Sequence, residues 1–131
     1  MRLLAGQILR FVAVGCLAAA THWVVAVACV EMLRVAPLWA NVVGWLAAFC
    51  VSFTGHLLFT FRHPLHAWQH AAARFFLVSA GGFAVNEMAY AWLLHVSSVR
   101  YDVLLAAVLV GVAVGTFIAS RLWAFRRTPG A

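Results

Sequence analysis

"SFTGHLLFTFRH" at Ser52–His63 and "TFIASRLWAFRR" at Thr116–Arg127 decide the fold, because nearly the same ending is written twice, 64 residues apart. Each closes a long apolar run. Val35–Phe61 holds no charged residue, and neither does Phe11–Val30 before it. Phe75–Val99 is interrupted only by Glu87, and Val103–Phe125 only by Arg121. A hydrocarbon core needs about 20 mostly apolar residues as helix to be crossed. With no water there to satisfy a bare backbone, helix is the choice for such runs. The expectation is an all-α membrane protein with four transmembrane helices, over about 11–31, 38–61, 75–97 and 103–125, forming a single domain over 1–131. The short linkers within each pair allow only tight antiparallel hairpins.

Composition agrees, since 66% of the 131 residues are hydrophobic and only 9% charged, far from the balance of soluble domains. Arg2, Arg10, Arg62, Arg74, Arg121, Arg126 and Arg127 fall on one side of this layout, Arg34 and Arg100 on the other. Short cytoplasmic loops collect Lys and Arg, so both termini and the middle loop are expected to be cytoplasmic. The net charge of +6 then reflects that asymmetry and contact with anionic membrane lipids, with no nucleic acid implied. Met1–Ala20 has some features of a signal peptide, but its apolar run continues to Val30, as a true span would.

A shift of 64 residues aligns the halves without a gap, as about 10–63 and 74–127. It carries Arg10-Phe11 onto Arg74-Phe75, Ser52-Phe53 onto Thr116-Phe117, and Leu58-Phe59-Thr60-Phe61-Arg62 onto Leu122-Trp123-Ala124-Phe125-Arg126. Two duplicated helical hairpins, each with an even number of spans, insert in the same orientation. This predicts a parallel repeat about an axis along the membrane normal.

"RFVAVG" at Arg10–Gly15 and Phe-x-x-Ser-Arg-Leu-Trp-Ala-Phe at Phe117–Phe125 resemble the two ends of the GtrA-like family of small four-helix membrane proteins. The family's ending resembles Phe, two residues, Asn, a basic residue, one residue, an aromatic, a small residue and Phe. This sequence departs from it at the Asn, which is His56 in the first half and Ser120 in the second, and at the basic position, which is Leu57 and Arg121. The resemblance implies a non-enzymatic role in cell-surface polysaccharide synthesis or lipopolysaccharide modification at the bacterial cytoplasmic (inner) membrane. The cargo implied is a polyprenyl-phosphate-linked sugar, flipped beside a membrane glycosyltransferase that makes it.

Arg121 lies about 7 Å inside the Arg126 boundary, at 1.5 Å rise per residue. It can snorkel to the headgroups or fork two hydrogen bonds to a phosphate. Ser120 and Trp123 accompany it in the same ending. Ser52 and His56, like Thr116 and Ser120, are four apart and so share a helical face that could line a polar vestibule. Deeper lie His22, Asn86 and Glu87, each about 18 Å along a helix in a core about 30 Å thick. The 64-residue shift places His22 on Asn86. A charged acid at midplane costs about 2.5–3.5 kcal/mol on insertion scales, so Glu87 should be protonated or partnered, with His22 the first candidate. These three could meet the sugar, relay a proton, or fix helix register.

Ser79, Gly82, Asn86 and Tyr90 extend a polar or small stripe on the third span. Ala40, Gly44, Ala48 and Ser52 on the second, and Ala107, Gly111, Gly115 and Ala119 on the fourth, are small residues at four-residue spacing, which lets helices approach closely. A unit of this size offers little room for a lipid-linked sugar, which leaves a homo-oligomer open. Cys16, Cys29 and Cys50 have no metal spacing. His63, His66 and His70 of the middle loop lack supporting acids or thiols, so neither a metal site nor a cofactor is expected; Trp68 there reads as an interfacial anchor. Two other functions fit the pattern: a module that recruits or stabilises a glycosyltransferase without transport, and a small proton-coupled multidrug exporter using Glu87.

Overall fold

The computed structural model describes residues 1–60 and 68–124, with side chains undescribed at 60, 68, 71, 117 and 119–124. Among the described residues it contains four helices: α1 (Arg2–Leu33), α2 (Pro37–Gly55), α3 (Trp68–Val96) and α4 (Tyr101–Ala124), with one π-helical turn, His56–Thr60, continuing α2. No strand occurs among the described residues. α1, and α2 with its continuation to Phe59, are long and apolar enough to cross a membrane. α1 begins nine residues before the expected span, and its 32 residues measure about 48 Å, so the Arg2–Arg10 end exceeds a core of about 30 Å.

The first hairpin turns on three residues. Arg34 ends α1 in the left-handed conformation at φ 57°, which lets the Val35 N–H bond back to the Cys29 carbonyl at 3.1 Å. That closes the last turn in the manner usually given to glycine. Ala36 is extended and Pro37 opens α2, where a missing N–H costs nothing. Because a side chain at left-handed φ carries about 1 kcal/mol of strain, Arg34→Gly is expected to raise stability by about that much, read as a higher midpoint of unfolding in detergent.

α1 and α2 pack through small residues: Ala18, His22, Ala26 and Cys29 on one side, Ala40, Asn41, Gly44 and Ala48 on the other, all buried. The approach is closest at Gly44, where an added Cβ would lie 2.6 Å from the His22 carbonyl oxygen and 2.8 Å from its ring. The main core joins Ala26, Cys29 and Ala40 of this hairpin to Tyr90, Leu104, Leu105 and Val108 of the second. It sits toward the end of the bundle that carries the two short linkers, here the loop end. Toward the other, terminal end, α3 and α4 are open: a Cβ on Gly81, Gly82, Gly111 or Gly115 would meet nothing within 4 Å. The small-residue stripe of α2 is thus used inside the chain. That of α4 is exposed at Ala107, Gly111 and Gly115.

Ring packing divides the vestibule expected from Ser52 and His56. The His56 N–H still bonds the Ser52 carbonyl, so the two residues share a helical face, and the π turn begins only at His56. Ser52 borders a cavity, whereas His56 is buried in a ring contact with Phe11, centroids 4.7 Å apart. Gly55 lets this turn close on α1, its missing Cβ falling 2.7 Å from Val14, and Arg10 Nη1 donates to the Phe59 carbonyl at 3.5 Å.

Candidate functional site

Residues placed on different helices by apolar packing bring their polar groups to one level of the bundle. His22 Nε2–H donates to Asn41 Oδ1 at 2.6 Å. Asn41 Nδ2 donates to Asn86 Oδ1 at 2.8 Å. All three side chains are buried, and the chain of bonds ties α1 to α2 to α3. His22 and Asn86 occupy equivalent positions under the 64-residue shift, and they meet at Asn41.

Glu87 does not pair with His22 as expected. Neither carboxylate oxygen is exposed or hydrogen-bonded, although Asn41 lies within electrostatic reach. The reason is angular: at 3.6 residues per turn, neighbours on a helix point about 100° apart. Asn86 takes the direction that meets the Asn41 amide, and Asn41 in turn holds His22, so Glu87 is left beside this chain without a bond to the histidine. The chain has only three acidic residues, and the other two are paired. Glu31 Oε1 accepts from Arg100 Nη2 at 2.8 Å and from the Tyr101 hydroxyl at 2.6 Å. Asp102 Oδ1 lies 3.2 Å from Arg100 Nε and accepts from the Val103 N–H at 2.9 Å, where a negative charge suits the start of a helix. Asp102, then Tyr101 and Glu31, push the Arg100 guanidinium further above its ordinary value.

Two bonds link this loop-end cluster inward. Trp23 Nε1 donates to the Asp102 carbonyl at 2.9 Å, and the Tyr90 hydroxyl to the Tyr101 carbonyl at 3.2 Å. Tyr90 is fully buried and stands one turn from Glu87 on the same face of α3. Polar groups thus run from the loop end to the middle of the bundle.

On the terminal side of His22 lies a cavity of about 180 Å³, lined by Ala18, Ala19, His22, Trp45, Ala48, Phe49, Ser52 and Ser79. It has room for about six waters. Its aromatic wall belongs to a ring ladder along the α2–α3 seam. Trp45 stacks on Phe83 at 4.7 Å and touches Phe76 at 5.4 Å; Phe49 bridges Phe76 and Phe75; Phe53 and His56 reach Phe75 as well. Trp45 Nε1 donates to Ser79 Oγ at 2.8 Å, fixing the indole at the cavity wall. Phe11 and Phe75, again equivalent under the repeat, both contact the His56 ring. A second, apolar groove of about 400 Å³ lies between α1 and α2 along Val14, Leu17, Cys50, Val51, Thr54, Gly55 and Phe59.

Of the residues singled out in the sequence, the structure joins His22 and Asn86, sets Glu87 beside them and places His56 at the terminal end of the ladder. Ser79 and Tyr90 of the third-span stripe also face partners, while Gly82 faces open space. Ser120, Arg121 and Trp123 lie on the last turns of α4 with side chains outside the described part, as is that of Trp68. His63 and His66 also lie outside the described residues, and no cluster of three metal-binding side chains occurs among those described. Sequence reading missed Asn41, whose signal is a lone carboxamide in an apolar run. It also missed Trp45, Phe49 and Phe53, whose signal is an aromatic every four residues.

No curated protein and no solved structure matches this chain. The family described as GtrA/DPMS, transmembrane domain, matches residues 10–125. Four helices, two of them long and apolar enough to span, with buried polar groups between them, agree with that match. The chain belongs to the GtrA/DPMS transmembrane-domain family.

Proposed function

We propose that this protein translocates a polyprenyl-phosphate-linked sugar across the bacterial cytoplasmic membrane, for modification of cell-surface polysaccharide or lipopolysaccharide. Membership of the GtrA/DPMS transmembrane-domain family ties it to lipid-linked sugar processes. The observation that carries the reading further is the cavity beside His22. It offers an aromatic wall for the apolar face of a sugar ring and hydrogen-bonding groups, His22, Ser52 and Ser79, for its hydroxyls. Pockets for small ligands combine such apolar walls with a few placed polar groups.

In this reading the duplicated hairpins form a parallel repeat, both termini are cytoplasmic, and the cavity is filled from the cytoplasmic side. Arg121 forks the carrier phosphate with Ser120 and Trp123 beside it, while the prenyl chain follows the apolar groove between α1 and α2. His22, Asn41 and Asn86 then form the polar level that the sugar must pass, with Glu87 next to it. A membrane glycosyltransferase supplies the cargo, and the protein itself catalyses no covalent step.

Equilibrium binding of a radiolabelled polyprenyl-phosphate monosaccharide to the purified protein tests the phosphate contact. Removing one partner of a charge-assisted pair costs about 1.5–3 kcal/mol, so Arg121→Ala should weaken binding about 10- to 100-fold. Uncharged polyprenol should bind wild type and variant alike. Equal affinity of the two proteins for the phosphorylated lipid would remove Arg121 from the site.

A further inference from the structure

We propose that Glu87 is a proton-binding site, reached from the loop end through Tyr90 and the Glu31–Arg100–Tyr101–Asp102 cluster and connected to the cavity on the terminal side through Asn41 and His22. The inference goes beyond the transport of a sugar lipid and holds whatever the cargo is.

It rests on three observations. First, both oxygens of Glu87 are shielded and without a hydrogen bond, while the two other acids of the chain share Arg100. Secondly, Asn41 Nδ2 gives one N–H to Asn86, and its second N–H is the donor within reach of Glu87. A carboxylate at Glu87 draws that second N–H toward itself, whereas a carboxylic acid can do without it and can itself donate. The two protonation states of this one group ask for different arrangements of the same polar chain, which is how a bound proton biases a conformation. Thirdly, polar groups approach it from both ends. On the loop side stand Tyr90, whose hydroxyl reaches the Tyr101 carbonyl, and Tyr101 itself, bonded to Glu31. On the other side Asn41 leads to His22, which borders the cavity.

The titratable or charged groups around Glu87 are His22 and Glu31 from α1, Tyr90 from α3 itself, Arg100 from the linker, and Tyr101 and Asp102 from α4. At this level α2 presents the amide of Asn41 and no titratable group. None of the charged ones is hydrogen-bonded to Glu87. A proton taken up here leaves the loop-end solution and adds to a Glu87 oxygen; on release it returns to either side with the carboxylate left behind.

The test uses the full chain in phosphatidylcholine vesicles selected for one orientation, with the pH on each side clamped separately and no sugar lipid present. Dicyclohexylcarbodiimide, an apolar reagent that adds to protonated carboxyls, is followed at Glu87 by mass spectrometry, with Glu87→Gln as the blank. Labelling should rise about tenfold or more as the loop-end pH is lowered from about 9 to about 5, because only the protonated carboxyl reacts. Tyr90→Phe, which keeps the core volume, should lose this dependence on the loop-end pH. Labelling that ignores pH, or that follows only the pH at the terminal end, would overturn the proposal. So would a Tyr90→Phe protein that still tracks the loop-end pH. Since no cargo is present, the result stands apart from that of the Arg121 binding experiment.

Discussion

Gly44→Ala should loosen the α1–α2 pair and lower stability by about 1–3 kcal/mol, the usual cost of forcing an extra carbon into a full contact. The added carbon would sit 2.6 Å from a backbone oxygen of His22, which no rotamer change can move. Its second neighbour, 2.8 Å away, is the His22 ring, so the helices can separate only by pulling His22 from Asn41. Thermal unfolding in detergent, followed by circular dichroism, reads the loss. Gly111→Ala and Gly115→Ala provide the contrast, because nothing lies within 4 Å of either position. Those changes should leave stability unchanged or raise it by about 0.5–1 kcal/mol, the gain expected from removing glycine from a helix interior.

Asn41→Ala should have the next largest effect. Asn41 is wholly buried and makes both bonds of the chain, accepting from His22 and donating to Asn86. Its removal strands a donor and an acceptor together, and an unmet buried group costs about 1–3 kcal/mol. Measured side-chain bonds between membrane helices average nearer 0.6 kcal/mol, because the unfolded chain finds other partners in lipid. The expected loss is therefore about 2 kcal/mol for the pair of bonds. A double-mutant cycle with His22→Ala should return a coupling of about 1 kcal/mol. Additive losses would mean that the short His22–Asn41 contact holds nothing together.

The helices were legible because long uncharged runs leave the backbone no other way to meet its hydrogen bonds in lipid. Pro37 marked the first turn for a reason equally local, its fixed φ and missing N–H. The level of His22, Asn86 and Glu87 was readable by counting rise per residue. Their directions were not: depth fixes a position along a helix axis, whereas a contact also needs the angle around it. Depth alone matches Glu87 to His22, and the structure gives that histidine to Asn41. Asn41 itself was hidden by its surroundings, since one amide four residues past Pro37 changes the polarity of an apolar run very little. The π turn at His56–Thr60 was out of reach for a different reason. It begins where rings from α1 and α3 close on His56, contacts that no local pattern contains. The same holds for Glu31 and Arg100, which lie 69 residues apart and meet only once the hairpins dock.

The repeat showed best where it mattered least to local structure. Both His22 with Asn86 and Phe11 with Phe75 are separated by 64 residues, and each pair converges on one side chain of the α2 helix or its continuation, Asn41 and His56. The second hairpin has no such residue at the place of Asn41, where Leu105 joins the apolar core instead. The bridging polar side chains Asn41 and His56 thus both belong to the first half of the sequence.

Transbilayer movement of a polyprenyl-phosphate sugar in vesicles containing the purified protein tests the translocation claim most directly. Wild type should move the lipid well above the rate in protein-free vesicles, and Arg121→Ala should lose most of that movement with its helical content intact. A folded wild-type protein that moves no sugar lipid, yet still captures a glycosyltransferase, would contradict translocation and leave recruitment as the function.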